Sequence, residues 1–369
     1  MKHKCHKIAV LPGDGIGPEV IRAALPVFDV LDIKTNIRYG GIGWEHWCHS
    51  GNPVPPETWD LVHTSDATLL GAITSKPERE AKNDLDKRLD PDVYTYVSPV
   101  VQLRQKLNLS TNLRPVLDLW NNNFDFIVLR ENTEGLYAGF DQFPPDRSIW
   151  DILSTSSNAA VSGRYGTSVT LRLQTEVALK NLLLKGFELA DSRKKLLTIA
   201  DKPNVLRQSS QLLRKVADSL MCDYPDVTVE ILNVDAVAMW MVRRPERFDV
   251  IAAENMFGDI LSDIGAGIMG GLGLASSANI GHKYAYFEPV HGSAPHLAGT
   301  SRANPMAVFL SIAALLDYLH EKRSANRIRN AVRTVIRSGD VLTYDLGGSS
   351  STQEVADSII SEIERDDYL

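Results

Sequence analysis

Short, mostly apolar runs recur along the chain, each closed by a polar or glycine-bearing turn: residues 8–11, 68–75, 126–129, 196–200, 229–234 and 249–253. Apolar runs of about four to eight residues without alternation are the pattern of strands buried on both faces. Between them the apolar positions shift to helical spacing, over residues 19–31, 170–185, 304–319, the stretch leading out of Asn255, and the tail. Strands alternating with helices predict an α/β fold. The glycine-rich residues 267–275 keep a helical period and suggest close packing between two halves. Residues 76–96 keep neither period and read as a long irregular connection, of the kind that serves as a lid or specificity loop. Residues 140–168, rich in Pro, Ser, Asp and Gly, have too little apolar character for a core of their own and read as an extended arm. Residues 287–299 read as a polar loop.

The chain has 369 residues, enough for two domains or one large one. A net charge of −7 argues against nucleic acid as a partner, although local basic residues can still hold an acidic small molecule. Cys5, Cys48 and Cys222 make no disulfide framework and suit a reducing compartment. The first residues run straight into a strand, with no signal-like segment, and no apolar run approaches a membrane span. The expectation is a cytoplasmic protein without a membrane partner.

The strand at 8–11, the loop PGDGIGP at 12–18 and the helix behind it invite a dinucleotide-binding reading. Gly13 and Gly15 fit the start of G-x-G-x-x-G, but Pro18 takes the last position, and no acidic residue closes a second strand about twenty residues on. The Rossmann fingerprint fails. A tight loop that lets backbone approach another segment is the better account.

Asp259 and Asp263, in NMFGDILSD at 255–263, stand four apart and share one face of a helix. Two such carboxylates suit a hard cation, Mg²⁺ or Mn²⁺, with water and substrate oxygens completing the shell. Arg104, Arg114 and Arg130 lie near element ends, where guanidiniums can clamp carboxylates in bidentate fashion. Lys202, next to Asp201 at the end of an apolar strand, is a candidate base, and Asp235 ends another strand. Tyr137 lies among glycines, off the core. His46, Cys48 and His49 lack a second ligand pair and read as structural, as do His3, Cys5 and His6.

Together, LPGDGIGPE at 11–19, NMFGDILSD at 255–263, EPVHGSAP at 288–295 and DLGG at 345–348 make the chain resemble the β-decarboxylating dehydrogenases of (2R)-hydroxy acids, nearly end to end. That family includes isocitrate, 3-isopropylmalate, homoisocitrate and tartrate dehydrogenases. The resemblance implies a two-domain α/β fold of the isocitrate/isopropylmalate dehydrogenase type, not a Rossmann fold. Residues 1–109 with 270–369 would form a large cofactor-binding domain. Residues 110–269 would form a small domain with the metal and catalytic residues, an interdomain sheet and a dimerisation arm.

Carried over position by position, the resemblance implies that Asp259, Asp263 and a partner subunit's Asp235 ligate the metal. Arg104, Arg114 and Arg130 would hold the malate carboxylates, with Ser98 at the substituent. Tyr137 and Lys202 would be the catalytic pair, Lys202 and Asp235 crossing a homodimer interface; assembly into a tetramer stays open. Asn204 and Glu288 would stand by the nicotinamide, Thr74 and Ser75 would also contact the cofactor, with either able to donate to a substituent carboxylate, and His291, Gly292, Ser293, Ala294, His296 and Asn304 would hold the adenosine side of NAD or NADP. His296 replaces the Asp that NAD-using members place after Gly-Ser-Ala-Pro, and Pro203 replaces a small residue. With Tyr344 nearby and no arginine at Gly348, the reading leans to NAD. Ser98 and the basic residues Lys76, Lys82, Lys87 and Arg88 favour a carboxylate at C3, as in isocitrate or homoisocitrate, whereas Val100 and Val101 suit an alkyl group, as in 3-isopropylmalate. A regulatory, non-catalytic subunit is the reading from another class; retention of every chemical residue speaks for an enzyme.

Overall fold

In a computed structural model that describes residues 5–366, the buried apolar runs pair into a single ten-stranded sheet; His3 lies outside the described residues. In chain order the strands are β1 (His6–Gly13), β2 (Thr35–Tyr39), β3 (Ala67–Ala72), β4 (Thr111–Leu117), β5 (Asp125–Glu131), β6 (Asp141–Gln142), β7 (Val169–Thr170), β8 (Leu196–Asp201), β9 (Thr228–Asn233), β10 (Val250–Ala253), β11 (Ser276–Ile280) and β12 (Ala285–Pro289). The large sheet runs β2-β1-β3-β12-β11-β4-β5-β10-β8-β9, and β6 pairs with β7 apart from it. Its two ends are parallel, whereas β12, β11, β4 and β5 pair antiparallel in the middle. The fold is therefore α/β with a mixed sheet.

The helices, in chain order, are α1 (Gly17–Ala24), α2 (Val27–Val30), α3 (Trp44–Ser50), α4 (Pro56–Thr64), α5 (Glu78–Asn83), α6 (Pro99–Lys106), α7 (Arg147–Leu153), α8 (Ser157–Ser162), α9 (Glu176–Asp191), α10 (Arg207–Met221), α11 (Val234–Arg243), α12 (Asn255–Ile268), α13 (Met306–Tyr318), α14 (Lys322–Ser338) and α15 (Thr352–Asp366). Helix α13 is buried almost all round, because it packs on β11 and β12 below and on α14 outside. The main core gathers α1, α12, α13, α14 and α15 against the sheet, and a second cluster lies under α9 and α10.

Several expectations shift. The helix read over 19–31 breaks at Pro26, which cannot donate to the ladder, into α1 and α2. The helix read over 170–185 begins only at Glu176, because the Thr175 hydroxyl caps it by accepting from the Ala178 N–H, and it continues to Asp191. Residues 76–96 are not wholly irregular. They contain α5 and fold onto α3, where Trp47 donates to the Ala81 carbonyl at 2.8 Å and Tyr96 packs edge-on against Trp44 and Trp47. The arm at 140–168 is not extended: it forms α7 and α8, neither with a buried residue, as its composition requires. Residues 285–289 are a buried strand rather than the start of a polar loop, and the period over 267–275 stops at Ile268.

The loop at 12–18 behaves as the failed fingerprint implied. Gly15 has φ +56°, and a Cβ there would lie 2.0 Å from the Ser293 carbonyl oxygen. That carbonyl accepts from the Ile16 N–H at 2.9 Å. The Asp14 carboxylate accepts from the Trp44 and Thr74 N–H groups, both at 2.8 Å.

Candidate active site

Glu254 caps α12 by accepting from the Phe257 N–H, so the helix already begins at Asn255 and residues 255–258 are its first turn. This places Asp259 and Asp263 one turn apart, with side chains 37% and 61% exposed. Gly258 lets the helix pass close over β5: a Cβ there would meet that of Arg130 at 2.7 Å. Arg130 pairs with Asp259, and Arg114 reaches Asp263 at 3.4 Å. Tyr137, about half exposed, makes a long 3.4 Å contact from its hydroxyl to Asp259 Oδ2.

All three arginines are nearly buried, and they crowd one another. Burial, followed by the Arg104 charge, lowers the Arg130 guanidinium to about 10. Arg114 is lowered by burial first, against the attraction of Glu288. Burial also opposes the Arg104 charge, but Tyr286 and Glu288 outweigh it and raise its value. The Tyr137 phenol is pushed up by burial and then by Asp259. A cluster with this excess of buried positive charge is made for anions.

Asparagines that the sequence did not single out orient these guanidiniums. Asn255 Oδ1 accepts from Arg130 Nε at 3.0 Å and Nη2 at 2.8 Å. Asn112 Oδ1 accepts from Arg114 Nε at 3.0 Å, and Arg104 Nε donates to the Tyr286 hydroxyl at 3.1 Å. Asn112 and Asn279 are fully buried side chains on sheet strands. A buried polar residue within an apolar strand was the available signal.

Lys202 and Asp235 are brought together apart from this cluster. Lys202 Nζ lies 2.5 Å from Asp235 Oδ1, while the neighbouring Asp201 is buried and accepts from Ser210 Oγ at 2.5 Å. Asp235 does not end a strand: β9 stops at Asn233, and Asp235 stands in the first turn of α11. The Lys202 hydrogen bond and backbone N–H groups there hold its carboxyl below the usual range. Asn204 is exposed beyond Lys202. Among the described residues, no three His, Cys, Asp or Glu side chains are grouped to hold a metal. The donor chemistry of Asp259 and Asp263 fits a hard divalent cation.

On the other side of the cluster, Thr74 Oγ1 lies 2.6 Å from Ser293 Oγ, and Ser75 Oγ lies 3.0 Å from Ser98 Oγ. Glu288 is buried, 3.6 Å from Arg104, and accepts from Asn279 at 2.9 Å. His291 Nε2 is buried without a hydrogen-bond partner, the kind of orphan a ligand satisfies, and burial lowers the ring's affinity for a proton. Gly292 is exposed, Ala294 has φ +36°, and His296 is exposed in a short 3₁₀ turn. Asn304 donates to Asp345 at 3.0 Å. The sequence reading found no fixed cation beside Tyr344, but the Arg302 guanidinium lies 4.7 Å over its ring. Lys76, Lys82 and Arg88 are spent on Asp84, Glu78 and Asp86 rather than turned toward the arginines.

The family model for isocitrate/isopropylmalate dehydrogenase matches residues 7–359. Protein DlpA of Legionella pneumophila is 50% identical over 362 residues, 97% of this chain, and the chain spans 59% of that relative's length. A homoisocitrate dehydrogenase of Methanocaldococcus jannaschii is 38% identical over 97% of this chain and 98% of its own. The crystal structure of isocitrate dehydrogenase from Methylococcus capsulatus matches with a TM-score of 0.83 at 33% identity, covering 97% and 99% of the two chains. Members of this family work on small carboxylates, generally with NAD(P) and a divalent metal, and are usually oligomeric. By sequence and by fold, the chain belongs to the isocitrate/isopropylmalate dehydrogenase family of β-decarboxylating oxidoreductases.

Proposed function

We propose that the protein oxidises and decarboxylates a (2R)-malate carrying a carboxylate substituent at C3, isocitrate or homoisocitrate. The observation that carries this reading is the set of three mutually repelling arginines, Arg114 and Arg130 buried and Arg104 nearly so, beside two accessible carboxylates on α12. On this reading the site lies between a larger cofactor domain (1–109 with 270–369) and a smaller one (110–269).

Arg104, Arg114 and Arg130 bind the substrate carboxylates, replacing the internal pairs that Arg114 and Arg130 now make with Asp263 and Asp259. The two aspartates are thereby released to hold Mg²⁺ or Mn²⁺. Asp259 and Asp263 would hold the metal, which when bound would supply Lewis acidity to the substrate, and the nicotinamide would be the hydride acceptor. Lys202, steered by Asp235, takes the C2 hydroxyl proton; both come from the second chain of a homodimer, which completes the metal shell. Tyr137 keeps its proton because burial and Asp259 disfavour the phenolate, and it protonates C3 after CO₂ departs.

With Lys76, Lys82 and Arg88 paired elsewhere, support for a carboxylate-bearing substituent rests on Ser98 and Ser75 and on the homoisocitrate dehydrogenase relative. The second reading, a 3-alkylmalate such as 3-isopropylmalate, is favoured by Val101, 38% exposed on α6 below Arg104. For the cofactor we keep NAD, with NADP admitted by Arg302 beside Tyr344. The test is turnover of isocitrate, homoisocitrate and 3-isopropylmalate with Mg²⁺ and each nicotinamide. A tricarboxylate with the highest kcat/KM supports the proposal; a clear preference for 3-isopropylmalate transfers it to the alkyl reading, and no turnover of any of them refutes both.

A further inference from the structure

Arg130, Asn112 and Asn279 form one row across the sheet, paired in register from β5 to β4 to β11. Their hydrogen bonds have a direction. Arg114 Nε donates to Asn112 Oδ1 at 3.0 Å, Asn112 Nδ2 donates to Asn279 Oδ1 at 2.6 Å, and Asn279 Nδ2 donates to Glu288 Oε1 at 2.9 Å. A cation is thus joined to an anion by two amides polarised the same way. The orientation is forced. Asn279 Oδ1 also accepts from Asn132 Nδ2 at 3.0 Å, so a flipped amide would face two donors with its own N–H groups and turn its oxygen on the Glu288 carboxylate. Asn112 is fixed likewise, because its Oδ1 faces Arg114 Nε, which can only donate, leaving its Nδ2 to reach Ser277 Oγ at 2.9 Å as well as Asn279.

We infer that Asn279 is a positioning residue that joins Arg114 and Glu288 into one hydrogen-bonded unit, so that the carboxylate-binding side of the site and Glu288 are set together. Each link strengthens the next in the dry interior of the sheet. Neither amide needs to touch substrate: Asn279 acts through Glu288, and through Asn112 on Arg114. The inference rests on reading the arginines as carboxylate binders.

The decisive substitution is Asn279→Asp, which keeps the shape and the acceptor but removes the donor to Glu288. Glu288 is otherwise faced by Arg104 at 3.6 Å, and Arg114, Tyr286 and His291 also feel its charge, so each pH point is read as the ratio of variant to wild type, which carries the same groups. Two facing carboxylates take up a shared proton at higher pH than either alone, which restores a donor. With the panel substrate that the wild type turns over fastest, kcat/KM of this variant relative to wild type falls about 30-fold at pH 8, within the range of misplaced catalytic geometry. It regains at least part of that loss as the pH is lowered to 6. Asn132→Ala removes a bond to the same oxygen but lies outside the directed chain; it lowers Tm while leaving kcat and KM close to wild type. A pH-independent ratio near one for Asn279→Asp, or an equal loss of activity in Asn132→Ala, overturns the inference. If Asn279→Asp does not fold, Asn112→Asp cuts the neighbouring link while still accepting from Arg114; its new carboxylate faces the Asn279 amide rather than an acid, so it is judged by kcat/KM at pH 8 alone, a loss that Asn132→Ala does not share supporting the inference and an unchanged value overturning it. A wild-type chain that turns over no panel substrate fails the functional reading instead, whereas normal turnover in the variants fails only the chain of amides.

Discussion

The floor of the candidate site and the segment over residues 76–96 are both rich in charge, yet they use it in opposite ways. Under the arginines the polar groups are buried and tied to one another along the sheet, across it and onto α12, and of the three acids the arginines meet only Glu288 is buried. In the 76–96 segment Lys76, Lys82 and Arg88 are exposed or partly exposed and paired with acids two to eight residues away. Local pairs of this kind contribute about 0.2–1 kcal/mol, whereas removing one partner of a buried pair costs about 3–5 kcal/mol. A stretch of sequence dense in lysine is therefore weaker evidence for an anion site than three arginines separated along the chain and gathered by a sheet.

The sharpest test of this contrast is Arg130→Gln, which leaves Asp259 and Asn255 without their cation. We expect kcat/KM to fall about a thousand-fold or more, equivalent to about 4 kcal/mol, with Tm reduced; a loss under tenfold would mean that the buried cluster is not the anion site. Next is Tyr137→Phe, for which a loss of about a hundred- to ten-thousand-fold is expected in the overall rate. If oxidation is followed separately with the β-keto acid as product, it should survive better than enol protonation, and equal impairment of both steps would count against the assigned role.

A third experiment mixes Asp235→Asn with Asp259→Asn. Each homodimer should be inactive, while the hybrid should recover activity through one intact site; absence of recovery after demonstrated subunit exchange would exclude a shared site. On the segment, Lys76→Ala and Lys82→Ala should change kcat/KM for either tricarboxylate by less than about threefold, in keeping with exposed pairs. A loss as large as that of Arg130→Gln would erase the contrast between the two regions. The smallest effect is expected from Arg302→Ala, which should lower the NADP/NAD ratio of kcat/KM by about fivefold through loss of a partly screened cation–π-held charge. An unchanged ratio would remove Arg302 from cofactor selection.

The arginines, the aspartates of α12 and the lysine were legible because their chemistry is carried by residue type and by spacing within one element. Asp259 and Asp263 needed only the helical repeat to share a face. Asp235 was placed at a strand end because the apolar run continues through Val234, whereas its position in the first turn of α11 depends on where the helix starts. Asn279 and Glu288 were not legible as a pair: they sit on β11 and β12, short strands without a long apolar run, and β12 was taken for loop. The Lys76 segment misled because a sequence shows charge but not whether it is already satisfied by Asp84.

By itself, then, the sequence determined the α/β class, since buried strands and amphipathic helices impose periods that survive any tertiary arrangement. It also determined the family, through motifs that extend nearly end to end. Only the tertiary structure decided which charges face one another. The antiparallel pairing of β12, β11, β4 and β5 places residues more than a hundred positions apart within hydrogen-bonding distance, and no local pattern encodes that meeting.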